Sequence, residues 1–517
     1  MVNLTIDTLS TEAAPGETVL SVAKGLGIDI PTLCHDSRLP HVNACMVCLV
    51  RDIKADRMIP ACSYPVEDGM EIDASSAAVR HARRDALELL SREHFGDCEA
   101  PCRRGCPGGL DISAMMKAVA AGDWQAAGNV VRDRIPIPMM LGEICPAPCE
   151  KTCRRKAVDT ALRIREIKGA VGWFAPVVEG APADHSGRHV AVIGAGPAGV
   201  SAAYFLRRKG YGVTVYEREA RPWDALTGKL GGSLNPETAR LEYDHLKQAG
   251  VSFVCGRDIR ARDDLSALLD GHAAIVLAGG HDMRTILESM AVEILKDGRM
   301  TSVAGVFACG SLREDCGKMA VRAVAAAQDA AAAVDAFIKG DTRPAAARRF
   351  DSRAGTLTER QVMSLAENAL RGGPGAHCPE GMNPRDEASV REEAGRCMSC
   401  GCRAGEACRL RRYAEDYHVP QVRAHPPAVV MSSPLIIRDH PDILFEPGKC
   451  IHCGLCARLA EAEGEPFGLT FLGRGRGARL APPLGVSWAD ALTVSARACA
   501  DICPTGALTV RGDPAVS

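Results

Sequence analysis

Residues Val2-Asn3-Leu4-Thr5-Ile6-Asp7 alternate apolar and polar side chains, the period of a strand with one buried face. Pro15-Gly16 marks a turn, and Thr18 stands where it caps a short helix with apolar positions Val19, Leu20, Val22 and Ala23. From Ala77 to Arg92 the apolar residues Val79, Ala82, Ala86, Leu87 and Leu90 recur at helical spacing, and another helical stretch runs from Ile112 to Val131. His189–Ile193 is a short apolar run read as a buried strand. A helix to about Lys209 follows, and then the strand Val213–Tyr216, which ends in Glu217. Ala274–Leu277 and Val306–Ala308 read as further strands of the same kind. The alanine-rich stretch Ala320–Ile338 is interrupted by Arg322, Gln328, Asp329 and Asp335, so it reads as a helix in water rather than in lipid. Residues 341–395, rich in Arg, Gly, Pro and Glu, read as a linker with short helices. The expected class is multidomain α/β.

Composition narrows the setting. The 517 residues suffice for several domains, and 46% hydrophobic residues build ordinary cores. With 62 basic and 64 acidic residues interspersed, the net charge is −2, which favours neither nucleic acid nor an anionic membrane surface. The opening MVNLTIDTLSTE has no basic and apolar leader, and no run approaches a membrane span, so a cytoplasmic location is expected. The 23 cysteines change the picture most. They fall in groups, and only Cys255, Cys309, Cys316 and Cys378 stand apart. Grouped thiols in a long chain of a reducing compartment are metal sites rather than a disulfide framework. Several such sites in one chain suggest a path for electrons.

The first group is Cys34, Cys45, Cys48 and Cys62, spaced C-x10-C-x2-C-x13-C. Four thiolates are what a 2Fe–2S centre needs, and zinc rarely uses so long a first gap. The pattern resembles the ferredoxin-like domain that opens the large iron–sulfur subunit of respiratory complex I and of NAD-linked hydrogenases and formate dehydrogenases. It implies a β-grasp domain over residues 1–75.

Residues 76–185 carry His94-x3-Cys98-x3-Cys102-x3-Cys106 and then Cys145-x3-Cys149-x3-Cys153. The stretches CEAPCRRGCPGGLDI (98–112), IPIP (135–138) and ICPAPCEKTCRR (144–155) resemble the helical N-terminal domain of the glutamate synthase small subunit and of dihydropyrimidine dehydrogenase. That family holds two 4Fe–4S clusters there. The resemblance implies one cluster on Cys98, Cys102 and Cys153, and another on Cys106, Cys145 and Cys149. The fourth ligands depart from the family. His94 is the candidate for the first, since a neutral imidazole ligates iron; the alternative is a solvated histidine at a helix end. For the second, the position where the family has Gln or Glu is Lys168, with Glu166 close by.

Residues 186–345 hold Gly194-Ala195-Gly196-Pro197-Ala198-Gly199 between a strand and a helix, with Glu217 placed to take ribose hydroxyls. The glycines let backbone approach a pyrophosphate at the helix N-terminus. With Gly231-Gly232 and Gly310, the pattern resembles the FAD half of the same glutamate synthase family, so a Rossmann-like FAD domain is expected. Two departures stand out. The family's NADPH domain is absent between Gly280 and Gly305, and its Gly-Asp pair is Gly310-Ser311 here. Cys309 and Cys316 read as buried structural thiols.

Residues 346–425 are expected to form a linker bearing Cys397, Cys400, Cys402 and Cys408, a compact set suited to 4Fe–4S or to zinc. Residues 426–517 carry Cys450-x2-Cys453-x2-Cys456 and the distant Cys503, with Cys499 left over as a core thiol. By ferredoxin spacing, Cys450, Cys453, Cys456 and Cys503 hold one 4Fe–4S cluster. CIHCGLCAR, FLGRGRG and ICPTGAL resemble a further part of the complex I large subunit, which implies a ferredoxin-like domain. The whole reads as an oxidoreductase subunit with one 2Fe–2S centre, about four 4Fe–4S clusters and FAD. The expected partners are a nicotinamide-binding flavoprotein or a subunit of formate dehydrogenase or hydrogenase type. A self-contained NAD(P)H-dependent oxidoreductase is the alternative.

Overall fold

The alternating N-terminal residues form β1 (Val2–Ile6), antiparallel to β2 (Leu9–Ala13) and parallel to β5 (Met70–Asp73). With β3 (Leu49–Asp52) and β4 (Arg57–Pro60) the order is β2-β1-β5-β3-β4. Thr18 Oγ1 accepts a hydrogen bond from Ser21 N at 3.2 Å and caps the Val19–Gly25 helix. That helix buries Val19, Leu20, Val22 and Ala23 in one core with Leu4, Ile6, Val50 and Ile72. One helix laid on a mixed sheet is the β-grasp arrangement.

The computed structural model describes residues 1–175, 187–229, 232–280, 282–295, 299–314, 316, 319–341, 349–370, 382–421 and 424–511. Gly231 and Cys378 lie outside the described residues. The chain divides into two units. One is Met1–Glu99 with Ala347–Glu367 and Cys400–Ser517, and the other is Ala100–Ala346 with Asn368–Ser399.

In the first unit, Ser76 caps the Ala77–Glu93 helix, which buries Val79, Ala86 and Leu87. β11 (Ile443–Phe445) pairs antiparallel with β14 (Leu508–Val510), and β12 (Thr470–Leu472) with β13 (Arg479–Ala481). The Leu455–Ala462 and Ala496–Ile502 helices pack together beside them. A single core joins Leu33, Val47, Leu87, Phe350, Leu410, Ile443, Leu455 and Leu508. The cysteine loop near the N-terminus and the C-terminal segment therefore share an interior.

In the second unit, the helical stretch expected over Ile112–Val131 is two helices, Ile112–Ala121 and Trp124–Arg134. Gly122 ends the first in the left-handed region at φ 78°, and Asp123 caps the second through Ala126 N. Pro138–Ile144 packs on Ile164–Phe174 at a glycine crossing, where a Cβ on Gly142 would stand 2.7 Å from Gly169 Cα. A parallel sheet follows, built from β6 (His189–Ile193), β7 (Gly212–Glu217), β8 (Ser252–Cys255), β9 (Ala274–Leu277) and β10 (Val306–Ala308). Its order is β10-β9-β6-β7-β8, a Rossmann-like arrangement. β9 and β10 are direct neighbours. The stretch read as a linker contains the Glu387–Gly395 helix, whose buried Val390 and Ala394 pack it on Ile112–Ala121. Its seven other residues are mostly charged or small, which hides so narrow an apolar stripe from composition. Among the described residues no helix is long and apolar enough to cross a membrane.

Candidate metal and dinucleotide sites

The loop carrying Cys34, Cys45 and Cys48 wraps the end of the β-grasp sheet, and Cys62 follows β4. All four are buried. Asn43 (φ 52°) and Met46 (φ 54°) take left-handed backbone on either side of Cys45, and the Asn43 side chain accepts from Cys62 Sγ at 3.3 Å. The thiols pair as Cys34 with Cys45 and Cys48 with Cys62. In each pair a hydrogen bond lowers the pKa of one thiol (Cys34, Cys48) and raises that of the other (Cys45, Cys62).

Cys450, Cys453, Cys456 and Cys503 line one pocket, which encloses about 350 Å³ of space not filled by atoms, part of it open to solvent. His452 (φ 54°) and Gly454 (φ 70°) turn the backbone on both sides of Cys453. Burial, and then the Cys503 thiol, push Cys453 up to about 12, and burial pushes Cys450 up to about 12. Thiols buried together without a counter-ion resist ionisation, and a positive iron core removes that resistance by binding the thiolates. The donor set and the space suit a cluster. Cys499 is fully buried beside them, with its Sγ 3.4 Å from Cys456 O.

Cys98, expected with Cys102 and Cys153, is joined to Cys402 through the backbone. Its thiol is pushed up to about 12 by burial and then by Cys402 and Cys408, and Cys402 N donates to Cys98 O at 3.1 Å. Its sulfur accepts from Ser352 N, and Cys408 Sγ accepts from Arg411 N, both at 3.4 Å. His94 is no solvated residue: it is buried at the end of its helix, burial lowers it to about 4, and its Nδ1 has no hydrogen-bond partner. A neutral imidazole with an unpartnered nitrogen suits a metal ligand.

In the other unit, Cys149 is pushed up to about 12 by burial and then by Cys106, while Lys168 opposes the shift. Lys168 is buried, so it supplies a counter-charge rather than a donor pair. Glu166 is turned to Arg163 and Arg165, at 3.8 Å from each. Cys397 is pushed up to about 11 by burial, with Cys153 and Asp111 adding to the rise. Among the described residues, no three His, Cys, Asp or Glu side chains are close enough to hold a single metal ion.

The glycine fingerprint lies between β6 and the Pro197–Arg208 helix. Gly194 (φ 103°) brings its Cα against the β9 end, where a Cβ would stand 2.9 Å from Ala278 O. A Cβ on Gly196 would meet nothing within 4 Å, and no side chain caps this helix, so its N-terminal end is open to a phosphate. Gly310 (φ 65°) approaches Ala198, where a Cβ would stand 2.6 Å from the alanine's own. Gly232, at φ 89°, is exposed on the turn before the Pro236–Gln248 helix. Glu217, at the end of β7, accepts from Ala195 N at 2.8 Å and Arg218 N at 2.9 Å, which fixes its carboxylate beside the fingerprint. These features suit a dinucleotide. Cys309 and Cys316 are buried.

Arg458 gave no sequence signal. Its guanidinium donates to Cys34 O at 2.9 Å and to Cys453 O at 3.4 Å, so it ties two thiol groups together. Buried Lys449 pairs with Glu446 at 2.7 Å. The left-handed residues beside cysteines were equally silent.

Comparison with known proteins agrees with the order of these parts. Residues 1–77 match the 2Fe-2S iron-sulfur cluster binding domain, and 78–173 match dihydropyrimidine dehydrogenase domain II with its 4Fe-4S cluster. Residues 192–240 match the NAD(P)-binding Rossmann-like domain. The chain thus runs from a 2Fe–2S domain through a 4Fe–4S domain to a Rossmann-like domain. It is 30% identical over 222 residues to NADPH-Fe(3+) oxidoreductase subunit beta of Geobacter sulfurreducens, covering 39% of this chain and 32% of that one. It is 38% identical over 143 residues to NADP(+)-dependent formate dehydrogenase subunit beta of Moorella thermoacetica (23% and 20%). To the glutamate synthase [NADPH] small chain of Mycobacterium tuberculosis it is 33% identical over 202 residues (36% and 39%). The chain spans at most about two-fifths of the length of these relatives.

Proposed function

We propose that this chain is an iron–sulfur flavoprotein that carries electrons as a subunit of a cytoplasmic oxidoreductase assembly. The observation that carries the reading is the succession of thiol groups within one unit. Arg458 spans the carbonyls of Cys34 and Cys453, and Cys408 Sγ lies 3.9 Å from the carbonyl of Pro504, next to Cys503. Electron tunnelling falls steeply with distance, so adjoining clusters make a relay. Cys34, Cys45, Cys48 and Cys62 would hold a 2Fe–2S centre, and Cys450, Cys453, Cys456 and Cys503 a 4Fe–4S cluster. Cys106, Cys145 and Cys149 would hold another, with Lys168 offsetting its charge.

FAD is the dinucleotide this reading assigns to Gly194, Gly196, Pro197, Ala198, Gly199, Glu217, Gly232 and Gly310, where it would join two-electron donors to one-electron carriers. A carboxylate at Glu217 suits free ribose hydroxyls and opposes a 2′-phosphate. Only residues 278–305 connect β9 to β10, too short a stretch for a separate nicotinamide domain. Electrons would then enter from a partner: a nicotinamide-binding flavoprotein, or a subunit of formate dehydrogenase or hydrogenase type; the likeness to a formate dehydrogenase beta subunit supports this reading.

The test is anaerobic reconstitution of the whole chain, with iron and flavin counted and visible bleaching followed. About 18 irons per chain are expected if every site fills. Bleaching by dithionite but not by NADH or NADPH supports the partner-dependent carrier. Prompt bleaching by either nicotinamide would make the chain a dehydrogenase in its own right.

A further inference from the structure

The cysteines from Cys397 to Cys408 sit close in sequence, yet their surroundings differ. Arg155, 1% exposed, donates from Nη1 to Arg396 O at 3.0 Å and from Nη2 to Asp159 at 2.5 Å. Arg396 returns a bond to the same Asp159 at 2.9 Å and to Thr160 Oγ1 at 3.1 Å. This buried network fixes the residue before Cys397 against the segment that follows Cys153. Thr152 Oγ1 donates to Pro101 O at 3.0 Å, which joins the residues before Cys153 and Cys102. Arg103, next to Cys102, pairs at 2.6 Å with Asp111 of the same unit. Separate links thus draw Cys102, Cys153 and Cys397 together within one unit.

Five residues later the chain serves other partners. Cys402 N bonds to Cys98 O at 3.1 Å, and a Cβ on Gly506 would overlap Cys402 Sγ. Cys408 begins the Arg409–Asp416 helix, whose Arg411 donates from Nε to Phe350 O at 3.0 Å and from Nη2 to Glu99 at 2.9 Å, beside Cys98. His94, four residues before Cys98, is buried with Nδ1 unpartnered, and Ser352 Oγ holds its carbonyl at 3.1 Å. These residues belong to the unit of Met1–Glu99 and Cys400–Ser517.

We propose that the Cys397–Cys408 run is a shared strap rather than a metal site of its own. Cys397 joins Cys102 and Cys153 in one 4Fe–4S site, and Cys402 and Cys408 join Cys98 and His94 in another. The proposal rests on the reading that these thiols hold iron–sulfur clusters, and it regroups the ligands without adding a cluster.

The test compares single variants of the anaerobically reconstituted full chain by iron content and by electron paramagnetic resonance of the dithionite-reduced protein. C397A and C153A are expected to lose the same spectral component, with about four irons. C402A and C98A are expected to lose a different one, also about four irons. His94→Cys should keep its iron and lower the midpoint potential of the component that C402A removes, since histidine ligation raises a cluster's potential. Loss of one common component in C397A and C402A would overturn the proposal and restore a single-loop site, as would C397A with a full complement of iron. Wild-type protein without iron would instead defeat the cluster reading itself. The 2Fe–2S signal serves as the folding control. A variant that loses it is replaced by its Cys→Ser version, which keeps an oxygen donor and is judged by the same criteria.

Discussion

Glu242 shows what one buried group does to stability. It is fully buried on the Pro236–Gln248 helix, its carboxylate accepts from Met140 N at 2.8 Å, and burial pushes it up to about 8. The unfolded chain releases this proton near the ordinary carboxyl value of about 4.3, while the folded chain retains it until about pH 8. The unfolded state therefore binds fewer protons between those limits, and stability falls as pH rises through them. Glu242→Gln keeps an acceptor oxygen and removes the titration. It is expected to raise the melting temperature at pH 8, by on the order of 2 kcal/mol in stability, and to match the parent at pH 4. Thermal melts across that range check this, and a difference that does not vary with pH would refute it. Nothing in the local sequence RLEYDHL marked this glutamate as buried; only packing against the Pro138–Ile144 helix turns it inward.

At the scale of elements, caps and crossings position the thiols. Glu465 accepts from Thr493 N at 2.9 Å, Val494 N at 2.8 Å and Ser495 N at 2.7 Å, and also from the Thr493 and Ser495 hydroxyls. Against the raising effect of burial, these bonds hold its carboxyl at about 2. The carboxylate thereby fixes the turn that leads into the Ala496–Ile502 helix, after which Cys503 follows directly. Its contribution is present above the ordinary carboxyl value and is lost as pH falls toward 2. Glu465→Ala is expected to cost about 3 kcal/mol at pH 7, read by denaturant unfolding of the reconstituted protein. In the helical domain, a methyl at Gly169 would press on Gly142 Cα at 3.0 Å, backbone that does not yield easily. Gly169→Ala is expected to cost about 1–3 kcal/mol by overpacking. It should also weaken iron retention on Cys106, Cys145 and Cys149 beside that crossing, and full iron with parent stability would count against the close-contact account.

At the scale of the molecule, the first unit collects the N-terminal loop, the C-terminal thiol pocket and Cys98 into continuous packing. Arg458 is the side chain that joins the first two. Arg458→Ala is expected to keep the iron count and to slow electron exchange between the 2Fe–2S centre and the Cys450 cluster several-fold, followed by rapid-freeze paramagnetic resonance. Unchanged exchange would show that packing alone couples them. The sequence by itself determined the elements and the chemistry: a period of two at Val2–Ile6, a cap at Thr18, glycines between β6 and its helix, and thiols at spacings suited to clusters. These signals are local, because periodicity, capping and loop spacing act within a few residues of the chain. Tertiary structure alone decided which thiols face one another. Cys402 N bonds to Cys98 O, and Arg155, just after Cys153, bonds to Arg396 O, just before Cys397, across hundreds of intervening residues. Sequence spacing grouped Cys397 with Cys402 and Cys98 with Cys102. Partnership follows from buried hydrogen bonds such as Arg155 to Arg396 O, and a bond between such distant segments leaves no trace in the spacing of either.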